Sequence, residues 1–201
     1  MAYRRSTLMQ KRLDDNRRRI ARAARRLIGK GGFREATVSA VAQAAGLSTG
    51  AIYRYFPSKA DLFVEVLNDA VDHEVMILRR ITERNAPHAS RLRAAVASFA
   101  GRALQGPHLA YAFIAEPTDT EVEAARILCR GRFAEVFRDL LVDGIGAGAF
   151  PPQAVDVTAA CIVGASTEAV VRPVAPAAHP GDDVALVDQI VDFCARAVGA
   201  V

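Results

Sequence analysis

The first third of the chain carries two apolar stripes with helical spacing, separated by a glycine. The first stripe has apolar residues at i, i+3, i+4 and i+7, namely Val38, Val41, Ala42 and Ala45. Thr37 directly precedes it, where a hydroxyl can accept a hydrogen bond from a free N–H group of the first helical turn. Gly46 follows it, where a residue without Cβ can take the left-handed conformation that ends many helices. The pattern predicts a short helix between these two residues.

A second short helix is predicted after this turn. Ser48 is its N-cap candidate, and Pro57 limits how far it can run. Its inward side consists of Ala51, Ile52, Tyr55 and Phe56. Its outward side carries small, hydroxyl, aromatic and cationic groups, on Thr49, Gly50, Tyr53 and Arg54. Such groups suit entry into a DNA major groove, so the two helices predict a helix-turn-helix. An ordinary helical hairpin inside an all-α enzyme is the alternative.

The rest of the chain also has helical spacing, and no segment of any length has the period of a strand. One helix is predicted over 15–28, and another begins at Ser58, where Asp61 completes a capping box, and runs to about 82. Later helices are predicted near 89–105, 107–115, 119–143, 152–171 and 183–198, with a loop over 173–181. The sequence therefore predicts an all-α fold of about nine helices.

Charge is divided unevenly along the chain and favours the DNA-binding interpretation. Residues 1–60 hold 14 Lys and Arg against three Asp and Glu, which gives this segment a net charge of +11. The whole chain carries only +4, so the remainder is at −7. A basic segment that coincides with a helix-turn-helix pattern is typical of nucleic-acid binding.

Residues about 17–65 resemble the DNA-binding domain of TetR-family transcriptional regulators. The matching elements are IARAARRL from Ile20, the GGF turn at 31–33, TVSAVAQAAG from Thr37, STGAIYRYF from Ser48, and SKADL from Ser58. The resemblance implies a basic arm and three-helix DNA-binding domain over 1–57, followed by an effector-binding and dimerisation domain over 58–201. It also implies a dimeric bacterial regulator, a repressor that a small molecule releases from a palindromic operator. Two other functions stay open, a nucleoid-type DNA-binding protein without an effector and, more remotely, an all-α enzyme.

The resemblance and the helical pattern together assign DNA contacts. Thr49, Gly50 and Arg54 are expected nearest the base edges, with Ser48 at the start of the same helix. Phosphate contacts are expected from Thr37, Ser39, Tyr53, Tyr55 and Lys59. For Tyr55 the two arguments differ, because the periodicity turns it inward whereas the resemblance places it by the DNA backbone. The arginines of the first helix, Arg17, Arg18, Arg22, Arg25 and Arg26, are also expected to meet phosphates.

Dimerisation is assigned to the last two helices, which the family pairs with those of a second copy in a four-helix bundle. The segment 155–171 is poor in charge, and Ala160 and Gly164 within it could allow close helix–helix approach. The apolar face of the last helix supplies the other interface candidates, Val187, Ile190, Val191 and Cys194. Core packing within one subunit is the alternative.

An effector pocket is expected among the helices of the second domain. Its candidate lining consists of aromatic residues and of charged residues close to apolar positions: Phe99, Arg102, Tyr111, Phe113, Arg126, Arg130, Phe133, Phe137 and Glu168. The arginines would suit an acidic or acyl-type effector. The alternative is that the aromatics are core and the arginines surface.

Motifs for catalysis, metal binding and membrane insertion are not found in the sequence. His73, His88, His108 and His179 are scattered, and neither an HExxH, a GxSxG nor a phosphate-binding glycine motif occurs. The three cysteines have no CxxC spacing, which favours buried, inert thiols in a reducing cytoplasm. No uninterrupted apolar run approaches the roughly 18 residues of a membrane span, and the N-terminus lacks a signal-peptide pattern. We therefore expect a cytoplasmic protein without enzyme activity, metal or cofactor.

Overall fold

The computed structural model describes residues 2–176 and 183–200, which leaves His179 and part of the predicted 173–181 loop outside the described range. Within that range the chain forms nine α-helices and no strand, so the predicted all-α class is confirmed. The helices are α1 (Ala2–Gly31), α2 (Val38–Ala45), α3 (Thr49–Tyr53), α4 (Lys59–Thr82), α5 (His88–Gln105), α6 (Pro107–Ile114), α7 (Thr120–Gly146), α8 (Val155–Val174) and α9 (Asp183–Ala197).

The first helix is about twice as long as predicted. It begins at Ala2 and not near residue 15, because residues 2–14 contain no glycine or proline that would end it. The side chains of residues 9–15 are all exposed, whereas Ile20, Ala24 and Ile28 are completely buried. Residues 9–15 therefore have no buried side, and an apolar stripe could not reveal these turns.

The predicted caps of the helix-turn-helix are present. The Thr37 hydroxyl accepts a hydrogen bond from the backbone N–H of Ala40 at 3.1 Å, and Ser48 does the same for Ala51 at 3.2 Å. Gly46 ends α2 in the left-handed conformation, with φ of +63°. Each cap joins residues only a few positions apart, so the local sequence is enough to fix this turn.

The fourth helix belongs to both halves of the molecule. Its capping box forms as predicted, with Ser58 and Asp61 each accepting a hydrogen bond from the other's backbone N–H group. The helix packs against α1 at the DNA-binding end and against α5 and α7 beyond it. Because its buried side is continuous with both, the buried residues form a single hydrophobic cluster. The proposed boundary between residues 57 and 58 therefore remains a prediction.

The remaining helices form a bundle around α7 and α5. The seventh helix packs between α4 and α8, and α5 packs against α9, α8 and α4. By length and composition alone, α8 could cross a membrane, with a mean hydropathy of 1.3, although it holds Asp156, Glu168 and Arg172. These charged residues interrupt the apolar run, so the sequence pattern did not indicate a possible span here. Core helices of soluble proteins pass the same test, so this is weak evidence for a membrane segment.

Candidate DNA interface and effector cavity

The third helix presents its predicted outward residues to solvent. Thr49, Gly50, Tyr53 and Arg54 are all exposed, and Tyr53 keeps 49% of its surface accessible. Thr37, Ser39 and Ser48 are exposed as well. Lys59 is half-buried, with its ammonium group 5.0 Å from the centre of the Phe63 ring. The residues assigned to DNA on α2, α3 and the start of α4 are thus exposed or half-buried, and their contacts with DNA stay a prediction.

Tyr55 lies between the two positions that the sequence suggested. Its side chain is half-buried, and its hydroxyl accepts a hydrogen bond from the Asn16 side-chain amide at 2.8 Å. The hydroxyl hydrogen stays available for an acceptor such as a phosphate oxygen. Tyr55 therefore joins α3 to α1, and a contact with the DNA backbone remains a prediction.

Arg17 does not have the role expected for it. Its guanidinium donates two hydrogen bonds to the Glu65 carboxylate and one to the Tyr55 carbonyl, all at 2.8 Å, and lies 4.3 Å from the centre of the Phe56 ring. The hydrogen bonds from Arg17 hold the pKa of Glu65 below its ordinary value. Arg17 thus fastens α1 to α3 and α4 instead of offering a free charge to phosphate. The expectation for this arginine is corrected because its partner, 48 residues away, was invisible in the local pattern.

A cavity of about 230 Å³ lies among α4, α5, α6, α7 and α8, with one residue contributed by α1. Six of the nine predicted residues line it, namely Phe99, Arg102, Phe113, Arg126, Arg130 and Phe133. Most of the remaining wall is apolar, including Leu67, Val71 and Val170. The structure thus brings together most of the residues that the composition singled out.

Three predicted pocket residues lie elsewhere. Phe137 is completely buried in the core, and Glu168 lies on the exposed side of α8. Tyr111 lines a second cavity of about 200 Å³, between α6 and the turn after α1. These assignments are corrected because residues on one helix face different neighbours, and composition does not indicate which neighbour each side chain meets.

Two charged residues of the cavity wall were not predicted. Arg25 reaches it from α1, and Glu74 from α4. Glu74 accepts two hydrogen bonds from Arg102, both at 2.8 Å, so these two side chains neutralise each other. The hydrogen bonds that Arg102 donates to Glu74 raise the pKa of Arg102. Neither residue carried a local signal, because Arg25 resembles every other arginine of α1.

Arg126 is the most enclosed charge of the wall, with 3% of its surface exposed. Its guanidinium donates to the carbonyl oxygens of Ala112 and Glu116 and pairs with the Glu123 carboxylate. Its Nε has no hydrogen-bond partner. Arg126 therefore satisfies carbonyl groups at the C-terminal end of α6, which the helix itself leaves unpaired.

The segment that follows α6 contacts the turn between α1 and α2, which leads into the helix-turn-helix. The Glu116 carboxylate accepts a hydrogen bond from the backbone N–H of Phe33 at 2.9 Å. Phe33 in turn stacks on Phe63 of α4, with ring centres 4.5 Å apart, and lies 6.1 Å from Phe113 of the cavity wall. The turn after α1 is thus held by residues adjoining the cavity, a connection for which the sequence offered no signal.

The candidate dimer surface divides into exposed and buried parts. On α8, Ala160 and Gly164 are exposed, together with Val157, Cys161 and Glu168. Ile190, Val191 and Cys194 of α9 are buried within the subunit, because α9 packs along α5. These three assignments are corrected from interface to core, and Val187 is half-buried. Val184 and Phe193, exposed at 72% and 54%, are the large apolar side chains that α9 turns outward in the described part of the chain.

The cysteines are not clustered. Cys129 and Cys194 are buried, and burial raises the pKa of both thiols, which makes them poor nucleophiles. Cys161 is exposed on α8, contrary to the expectation of buried thiols. Ser166 and Thr167 donate hydrogen bonds to the carbonyls of Ile162 and Val163, one turn earlier in α8, at 2.8 and 2.9 Å. Across 2–176 and 183–200, no group of His, Cys, Asp and Glu is arranged to hold a metal ion.

The chain combines a capped helix-turn-helix on a basic segment with a helical bundle that contains a cavity. This combination is typical of helical DNA-binding proteins. A family model described as bacterial regulatory proteins of the tetR family matches residues 20–66. Residues 20–66 are thus similar to the DNA-binding domain of TetR-family transcriptional regulators.

Individual relatives agree with this assignment. The chain is 26% identical over 129 residues to the nucleoid occlusion factor SlmA of Marinomonas sp., which covers 64% of each protein. It is 33% identical over 86 residues to the transcriptional activator FasR of Mycolicibacterium smegmatis, covering 43% of this chain and 39% of FasR. Both alignments span less than two thirds of the relative's length. The fold resembles that of FadR from Bacillus subtilis, solved with stearoyl-CoA, with a TM-score of 0.76 and 20% identity over 91% of this chain and 98% of FadR.

Proposed function

We propose that the protein is a dimeric transcriptional repressor that binds a palindromic operator and is released when a small molecule occupies the cavity. The observation that carries this proposal is the contact between Glu116 and Phe33. It joins the segment directly after α6, a helix of the cavity wall, to the turn between α1 and α2. A shift of α6 on ligand binding would therefore move the turn that precedes the helix-turn-helix.

DNA recognition is assigned to the exposed side of α3. The Arg54 guanidinium can donate two hydrogen bonds to a guanine, whereas Thr49 and Gly50 lack bulk and allow close approach to the base edges. Thr37, Ser39, Tyr53, Tyr55 and Lys59 are the phosphate contacts of the proposal.

A second copy of the chain is proposed to cover the exposed sides of α8 and α9. Ala160 and Gly164 would allow the two α8 helices to approach closely, and Val184 and Phe193 would contribute apolar area. Two-fold symmetry would place the two α3 helices about 34–36 Å apart, one turn of DNA. The family resemblance supports this arrangement, because a palindromic operator needs two related reading helices.

Effector control is proposed to act through α4 and α6. The fourth helix runs from the capping box beside α3 to the cavity wall, so a ligand that tilts it would change the separation of the two α3 helices. Allosteric coupling of this kind needs only about 1–3 kcal/mol of differential binding. FadR from Bacillus subtilis has the same fold and was solved with stearoyl-CoA. This similarity supports a ligand-binding role for the second domain.

Selection of bound fragments from the host genome tests the proposed function. The purified protein should enrich a small set of sequences that share one palindrome, and a reporter placed behind that sequence should be more active when the protein is absent. Enrichment without a shared sequence would contradict the proposal. So would a reporter that loses activity in the protein's absence, which would indicate an activator.

A second candidate is a nucleoid-type DNA-binding protein that needs no effector. The observation that favours it is the similarity to SlmA, which extends over 129 residues and so beyond the helix-turn-helix. Many dispersed genomic sites, without any regulated gene beside them, would favour this candidate over the repressor.

A further inference from the structure

The charges of the cavity wall are unbalanced. Arg25, Arg102, Arg126 and Arg130 line the cavity, and Glu74 is the one acidic residue described there. Glu74 is bound to Arg102, so this pair is neutral. Arg126 pairs with Glu123, which is outside the lining, and Arg25 lies within electrostatic reach of Asp69. Arg130 has no ion pair or side-chain hydrogen bond with any residue of the described ranges. A wall with four arginines and one carboxylate favours a negatively charged ligand.

Two of these arginines form a matched pair. Arg126 and Arg130 are four residues apart on α7, which places them one turn apart on the same side of the helix. Arg126 has only 3% of its surface exposed, and its Nε–H donor has no acceptor. A buried donor without a partner is unfavourable, and a carboxylate oxygen is the acceptor that would best satisfy it. Arg130 is exposed at the same wall and can supply further donors.

The volume limits the apolar body of the ligand. A dry cavity of about 150 Å³ binds benzene, with six carbons, so about 230 Å³ corresponds to roughly nine carbon atoms. The rest of the wall is made of aliphatic side chains and the rings of Phe99, Phe113 and Phe133. Glu74 is already paired with Arg102, so among the described lining residues an amine would meet arginines and no free carboxylate.

We propose that the cavity binds a medium-chain monocarboxylate, whose apolar chain fills the space between α4, α5 and α7 and whose carboxylate is bound by Arg126 and Arg130. This inference rests on the proposed function, because it names the class of the effector. Arg126 would then connect the bound ligand to the segment after α6. The guanidinium that would bind the carboxylate is the one that holds the carbonyls of Ala112 and Glu116, next to the contact with Phe33.

Calorimetric titration of the full chain with octanoate, 1-octanol and octylamine tests the head group, since the three probes share one eight-carbon chain. Octanoate is expected to bind at least about tenfold more tightly than 1-octanol, the effect of one charge-assisted hydrogen bond, and octylamine is expected not to bind. Equal affinity for octanoate and 1-octanol would overturn the role of the arginines. Absence of octanoate binding, or preference for octylamine, would overturn the proposal as a whole.

Two matched variants test the residues. Arg130→Gln removes a charge that makes no described ion pair, so the fold should be retained while octanoate binds roughly tenfold more weakly. Arg80→Gln is the control, because Arg80 is exposed on α4 and does not line the cavity. Unchanged octanoate affinity in Arg130→Gln, or equal weakening in both variants, would contradict the proposal. These titrations contain no DNA, so their failure leaves operator binding standing and is distinguishable from failure of the proposed function.

Discussion

The Glu116 carboxylate lies directly against Gly32 and accepts its hydrogen bond from the next residue, Phe33. A Cβ placed on Gly32 would come within 2.4 Å of the Glu116 Oε2 atom. Gly32 also has a φ of +79°, which residues with side chains rarely adopt. The backbone of the turn between α1 and α2 therefore leaves space for the Glu116 carboxylate, which comes from the segment after α6. Substitutions at Glu116 and at Gly32 test this contact.

Glu116→Ala should destabilise the protein by about 1–3 kcal/mol, because the buried Phe33 N–H loses its acceptor. Glu116→Gln keeps a side-chain oxygen that can accept the hydrogen bond, so its free energy of unfolding should fall by less. The measurement is urea unfolding followed by circular dichroism, with Glu121→Ala, at an exposed position of α7, as the control. A free energy of unfolding that is the same for Glu116→Ala and the wild type would show that this contact does not contribute to stability.

Gly32→Ala and Gly29→Ala should change stability in opposite directions. At Gly32 the substitution meets both the left-handed backbone and Glu116, so a loss of more than about 1 kcal/mol is expected. Gly29 is helical and has no atom within 4 Å of an added Cβ, so alanine should stabilise α1 by up to about 1 kcal/mol. Thermal unfolding of both variants measures the difference, and a stabilising Gly32→Ala would contradict the account of the turn.

The ion pair between Arg17 and Glu65 predicts a pH dependence of stability. Because Arg17 lowers the pKa of folded Glu65, the carboxylate contributes stability above its unfolded pKa of about 4.3 and loses it as pH falls through the lower folded value. Arg17→Ala should therefore cost about 1–2 kcal/mol at pH 6, with the gap to wild type narrowing below about pH 4.3. Arg18→Ala is the control, since the Arg18 pair with Asp15 is exposed. A gap that does not change with pH would assign the loss to the hydrogen bond with the Tyr55 carbonyl and to packing against Phe56.

Introducing a negative charge distinguishes the dimer surface from the core of α9. Phe193→Asp and Gly164→Glu should yield folded monomers, because both positions are exposed on the surface proposed for the second copy. Ile190→Asp should instead unfold the subunit, since Ile190 is only 5% exposed. Met76→Asp on α4 is the control for an exposed apolar position. Sedimentation velocity and circular dichroism together measure both effects. Intact dimers for Phe193→Asp and Gly164→Glu would move the interface elsewhere.

Arg54 and Lys59 should affect DNA binding differently. Arg54→Ala should relax the preference at one operator position and cost about 1–3 kcal/mol there, because a bidentate contact to guanine is lost. Lys59→Ala should weaken binding to all sequences about equally and reduce the slope of log affinity against log salt by about one. Fluorescence anisotropy with operator variants at several salt concentrations measures both. An unchanged base preference in Arg54→Ala would exclude it from base reading.

The features that could be predicted from sequence are those fixed by neighbours a few residues apart. Thr37, Ser48 and Gly46 bound α2 and α3 through contacts within one helical turn, so their residue types were sufficient evidence. Arg17 and Glu116 act on partners 48 and 83 residues away, and nothing in the local pattern indicated them.

The apolar face of α9 shows a different limit. Ile190 and Cys194 have the spacing of an amphipathic helix, and that spacing shows only that one side must be covered. Here α5 of the same subunit covers it, whereas the sequence interpretation assigned it to a second copy. The cavity was predictable in part. Aromatic residues and charged residues close to apolar positions identify six of its wall residues, whereas Arg25 comes from a helix of the other half of the chain.

Specific operator recognition is the central claim, and a competition titration tests it most directly. A labelled duplex carrying the palindrome recovered from the genome is titrated with the protein near physiological salt, against an unlabelled duplex of the same length and composition with the palindrome scrambled. The account predicts at least about a thousandfold preference for the palindrome, within the range of specific DNA-binding proteins. Equal affinity for the two duplexes would contradict it, because binding would then depend on the charge of the first domain alone.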